Sequence, residues 1–155
     1  MDDPEKDEMT GLTARQGWMG LLAAADPGAL AARLAALGEL PAFEWLRAPE
    51  VGGVMVRGRA GGTGAPFNLG EMTVTRCSLR LTTGEVGHAY VQGRDKAHAE
   101  RAALVDALMQ GPQAAALREA VLVPLARMRS AARAARAAKA AATKVDFFTM
   151  VRGED

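Results

Sequence analysis

Glu71-Met72-Thr73-Val74-Thr75-Arg76-Cys77-Ser78-Leu79-Arg80-Leu81, followed by Thr82-Thr83-Gly84-Glu85 and Val86-Gly87-His88-Ala89-Tyr90-Val91-Gln92, is the stretch that decides the fold. In its first part Thr75, Cys77, Leu79 and Leu81 alternate with Val74, Arg76, Ser78 and Arg80, the period of two that gives a strand one apolar and one polar face. Thr82 to Glu85 is short enough only for a tight hairpin, so Val86 to Gln92 returns antiparallel beside the first strand. Upstream, Gly53 to Ala60 sets Val54 and Val56 on one side and Met55, Arg57 and Arg59 on the other. Before that, Phe43 and Trp45 suggest a further strand, closed by Ala48-Pro49-Glu50. With Gly61 to Pro66 as a flexible loop, the spacing predicts an antiparallel four-stranded sheet.

Helices are expected on both sides of this block in the chain. Thr13 can cap a segment carrying Trp18, Met19, Leu21 and Leu22 at helical spacing. Asp26-Pro27 has the form of an N-cap with proline in the first turn, Leu30, Leu34 and Leu37 make one stripe, and Gly38 is a stop. Together these predict an N-terminal helical hairpin. After Gly93-Arg94, Asp95 can cap a helix running to about Gln110, with Ala97, Leu104, Ala107 and Leu108 toward the sheet. Gly111-Pro112 breaks it, a helix over about 113–123 follows, and Pro124 kinks or ends that one. Residues 125–144 read as a long alanine-rich helix with six basic and no acidic side chains. The expected fold class is α+β, the sheet flanked by helices at both chain ends. Residues 1–10 form an acidic, disordered tip, and 11–155 one domain.

Composition bounds the function. The chain has 155 residues, 49% of them hydrophobic but only 5% aromatic, with a formal net charge of +1. That suits a single core closely packed through small residues, and it supplies no global field toward nucleic acid or membrane. Cys77 is the single cysteine, so an internal disulfide and the cysteine-rich zinc sites are excluded. An acidic N-terminus without an apolar stretch, and no run of membrane-spanning length, predict a soluble cytoplasmic protein.

Candidate site residues fall in two groups. Arg57, Arg59, Arg76, Arg80 and His88, with Tyr90, could share one face of the sheet. Guanidinium forks suit phosphate, phosphonate or carboxylate. Such a face has three readings: solvated surface, partner interface, or anion site. The loop Gly61-Gly62-Thr63-Gly64 beside Arg59 could bring backbone amides to an anion, but it lacks the lysine of a phosphate loop. In the second group, Phe147, Phe148, Met150 and Val151 concentrate too much apolar surface for a loose tail and should dock on a partner or a second copy. His98 and Glu100, two apart on a helix, make a poor dyad or metal pair. Cys77, between Thr75 and Leu79, reads as a buried inert thiol. In the 125–144 helix Arg129, Arg133 and Arg136 form a stripe, solvated or packed on another chain, and without interleaved aromatics RNA binding is not expected. No catalytic or metal-binding set emerges.

Several stretches carry a resemblance: Ala14-Arg15-Gln16-Gly17-Trp18-Met19, Arg57-Gly58-Arg59-Ala60-Gly61-Gly62-Thr63-Gly64, and Tyr90-Val91-Gln92-Gly93-Arg94-Asp95-Lys96 with His98-Ala99-Glu100. Asp106-Ala107-Leu108-Met109-Gln110 and the ending Val145-Asp146-Phe147-Phe148-Thr149-Met150-Val151-Arg152-Gly153-Glu154 complete it. In these the chain resembles the PhnG family, a subunit of the carbon–phosphorus lyase core complex. The resemblance implies a non-catalytic subunit that associates with PhnH, PhnI and PhnJ and works with PhnL, with a second copy of itself in the complex. It implies an assembly that forms ribose 1-phosphonate 5-triphosphate from ATP and an alkylphosphonate, ATP being a substrate and no cofactor residing in this subunit. It supplies no catalytic residue. The alternatives are a stand-alone phosphate-ester enzyme, or a nucleic-acid-binding module built on the basic helix.

Overall fold

The computed structural model describes residues 14–144. Phe147, Phe148, Met150 and Val151, and the acidic tip, lie outside the described residues. Helix α1 (Arg15–Ala24) and α2 (Pro27–Ala35) form the hairpin. They are followed by β1 (Phe43–Arg59), a short 3-10 turn (Ala60–Gly62), β2 (Pro66–Leu81) and β3 (Val86–Gln92). Then come α3 (Lys96–Leu108), α4 (Ala114–Leu117), a π-helical turn (Arg118–Leu122) and α5 (Val123–Ala141).

Among the described residues the sheet has three antiparallel strands in the order β1-β2-β3, not four. The two strands expected over Phe43–Ala60 are one continuous β1. Its register slips between Trp45 and Arg47 and again between Arg47 and Glu50. Pro49 is thus taken up in an irregularity on an edge strand, where its missing N–H breaks no interior ladder. A proline that reads as a strand terminator is here a bulge.

The two sheet faces differ. α3 lies against β3 and β2, with α1 and α2 packed on α3. The core joins Leu79, Val91, Ala103, Val105, Leu30 and Leu122, all essentially solvent-free. Gly87 sets the closeness of this packing, since a Cβ there would run into the Ala103 carbonyl oxygen and stand 2.9 Å from the Ala107 Cβ. Among the described residues helices cover only this face. The Arg76 face remains open, as antiparallel sheets permit.

Local signals account for the helix ends. The Asp26 carboxylate accepts from Ala29 N at 2.8 Å with Pro27 at the first position, and the Asp95 carboxylate accepts from His98 N at 2.8 Å. α1 starts after Ala14, which is its N-cap in place of the expected Thr13 and bears no side-chain cap bond. α2 stops at Ala35, so Leu37 lies past the helix end and is partly exposed. Ala97, expected to face the sheet, is exposed; burial on α3 begins at His98 and Ala99. Pro124 neither ends nor separates a helix. The backbone widens into the π turn just before it and continues to Ala141, which accommodates a residue that cannot donate to the preceding turn.

Candidate functional site

The open sheet face follows from the pairing register. Glu44 stands opposite Arg80 and Glu50 opposite Arg76, while Arg76 faces Tyr90 and Ser78 faces His88 on the other side. Arg76, Arg80 and His88 therefore share one surface. Carboxylates are set among them: Arg76 Nε donates to Glu50 Oε1 at 2.7 Å, Arg47 Nη1 to the same oxygen at 2.7 Å, and Arg80 Nε lies 3.0 Å from Glu44 Oε1. The Glu50 carboxylate titrates below the usual range because Arg76 and then Arg47 donate to it, and Arg76 is raised by Glu50 and then Tyr90. Ser78 Oγ and His88 Nδ1 are 2.8 Å apart. Exposed pairs of this kind add little to stability. They do place a carboxylate beside each of the Arg76 and Arg80 guanidinium groups.

Arg57 and Arg59 do not join this cluster. They stand against Asn68 and Pro66, and the run from Asn68 to Arg76 spans roughly 26 Å of strand at ~3.3 Å per residue. A register shift between Val56 and Arg57 further breaks the alternation that would have aligned them. Among the described residues no salt bridge forms on either; Arg59 Nη1 donates to the Gly64 carbonyl at 3.1 Å.

The strongest polar constellation lies elsewhere. Asp106 is fully buried on the sheet-facing side of α3. Its carboxylate accepts from Arg15 Nε at 3.1 Å and Nη2 at 2.8 Å, from Trp18 Nε1 at 2.9 Å, and from His88 N at 2.9 Å. The ion pair with Asp106 holds the Arg15 guanidinium above its ordinary value. Arg15 Nη2 and Gln110 Nε2 also donate to Val86 O at 3.0 and 2.7 Å, closing that end of the β3 edge. A carboxylate with every oxygen occupied by structural donors ties α1, α3 and β3 together. It is not poised for acid–base work. The signal was an aspartate inside the apolar run Leu104-Val105-Asp106-Ala107-Leu108, because such a charge is buried only when paired.

The remaining titratable candidates have structural employment. His98 is buried, and its Nε2–H donates to the Leu22 carbonyl at 2.8 Å, pinning α3 to α1. Burial, with a smaller contribution from Glu100, pushes the Cys77 thiol up to about 11, so the thiolate is suppressed at neutral pH. A cleft of about 530 Å³ separates α1 from β3, lined by Gln16, Met19, Gly20, Ala23, His88 and Tyr90 among others. Its walls are mostly apolar, a surface suited to packing. Among the described residues no group of three or more His, Cys, Asp or Glu stands together to hold a metal ion. No helix among them is long and apolar enough to cross a membrane.

A family model described as "Phosphonate metabolism protein PhnG" matches residues 13–153. The chain belongs to the PhnG family. A curated PhnG relative from Rhizobium meliloti (strain 1021) is 47% identical over 155 residues, covering 100% of this chain and 99% of its own. That protein is named alpha-D-ribose 1-methylphosphonate 5-triphosphate synthase subunit PhnG. In this chain three of the stretches that carry the resemblance hold structural positions. Arg15 and Trp18 meet Asp106 across the fold. In Gln92-Gly93-Arg94-Asp95, Gly93 turns the chain at φ 91° and accepts from Thr75 Oγ1 at 2.7 Å before Asp95 starts α3.

Proposed function

We propose that this chain acts as a subunit of a ribose 1-methylphosphonate 5-triphosphate synthase in phosphonate catabolism, contributing by assembly and not by catalytic groups of its own. The observation that carries the reading is the 47% identity over the full length of a chain bearing that subunit name. The geometry supports it. Asp106, His98 and Cys77, the buried groups from which chemistry could be built, are committed to the fold or suppressed. Its partners in this reading are PhnH, PhnI, PhnJ and PhnL, with a second copy of itself, in the cytoplasm. ATP is a substrate of the assembly, and no cofactor belongs to this subunit. Phe147, Phe148, Met150 and Val151 supply a C-terminal docking segment. Cells lacking the chain should fail to grow with methylphosphonate as sole phosphorus source and grow normally on phosphate, with growth restored by supplying it. Undiminished growth on methylphosphonate would refute the reading.

A further inference from the structure

β3 pairs with β2 only from Val74 to Arg80. Beyond it, β1 and β2 continue as a two-stranded ribbon, Gly53–Arg59 against Pro66–Thr73, which spans roughly 25 Å at ~3.3 Å per residue. No residue of this arm is buried. Isolated two-stranded ribbons are marginal in water, so a long bare one implies support from outside. Its surface is apolar in patches: Leu69 is 67% exposed, Met55 53% and Phe67 46%, with the Phe67 ring in contact range of Gly58. The arm's arginines are at its tip, and its one carboxylate, Glu71, stands opposite Met55 toward the base. Arg76 and Arg47 share Glu50 and Arg80 pairs with Glu44, whereas Arg57 and Arg59 have no carboxylate partner among the described residues.

We infer that this arm is the chain's docking finger in the synthase: its apolar stem packs on a neighbouring subunit of different sequence, and Arg57 and Arg59 pair with carboxylates of that subunit. The inference rests on the proposed synthase membership. Carboxylates fit better than a phosphate group, because the loop amides turn inward: Thr63 N and Gly64 N both bond the Ala60 carbonyl, Gly64 at 2.8 Å. A second copy pairing edge to edge along β1 would meet Pro49 and three register shifts, and a two-fold contact at the tips would bring arginine to arginine.

The test uses the full-length chain and the remaining synthase subunits purified together. Leu69→Asp, and Arg57→Glu with Arg59→Glu, should leave thermal unfolding of the isolated chain unchanged. Each should weaken binding to the other subunits at least about tenfold, and the arginine variant should remove the salt dependence of wild-type association. Unchanged affinity in both variants would overturn the inference. So would an intact complex that loses affinity for ATP when the arginines are reversed, which would make the tip a ligand site. Loss of self-association alone would overturn it in favour of a second copy. A wild-type chain that binds none of the other subunits would sink the synthase reading itself, and this inference with it.

Discussion

Asp106→Ala is expected to be the most damaging single substitution in the described fold, costing about 3–5 kcal/mol and lowering the unfolding midpoint by roughly 10 °C or more. The carboxylate satisfies the Trp18 indole N–H, the His88 backbone N–H and two guanidinium nitrogens of Arg15. Alanine would leave the buried donors without acceptors, and unmade buried bonds cost more than made ones gain. Asp106→Asn keeps the volume and one acceptor oxygen, so its cost should be smaller. Arg15→Ala should be milder still, because its side chain is 42% exposed and water can replace part of what it loses. Thermal unfolding followed by circular dichroism checks the order. A loss below about 1 kcal/mol for Asp106→Ala would show that the node does not hold the helices to the sheet.

Gly87→Ala should approach that effect through packing alone. The added Cβ meets the Ala103 carbonyl oxygen, backbone in the middle of α3, and this cannot swing aside as a side chain end could. α3 must lift from β3, costing about 3 kcal/mol, the upper part of the range for overpacked cores. The displacement would also disturb His88 N and Asp106, one residue and one helical turn away, so the two substitutions should not be additive. Chemical denaturation of the single and double variants measures this. A double variant whose loss equals the sum of the singles would separate the two features.

The sheet and its hairpin were legible because alternation in Thr75–Leu81 and Val86–Gln92 is a local property of the chain. So were the caps at Asp26 and Asp95, where one carboxylate and one amide three residues on decide the matter. Pro49 misled, and Pro124 was left between a kink and an end, for a common reason. Each removes a donor, and sequence alone does not tell whether the chain ends there or absorbs the defect in a bulge or a π turn. The arginine face was legible only as alternation. That Glu44 and Glu50 pair with Arg80 and Arg76 depends on the cross-strand register, and so does the separation of Arg57 and Arg59, which that register sets opposite Asn68 and Pro66. Asp106 needed a partner, and nothing near it in the sequence identifies Arg15 and Trp18 as that partner.

Membership of the synthase is most directly measured by reconstitution: the purified partner subunits are supplied with ATP and methylphosphonate, with and without this chain, and ribose 1-methylphosphonate 5-triphosphate is followed. The account predicts product only when chain and partners are combined, and none from the chain alone. Full turnover by the partners without it, or turnover by the isolated chain, would contradict the account.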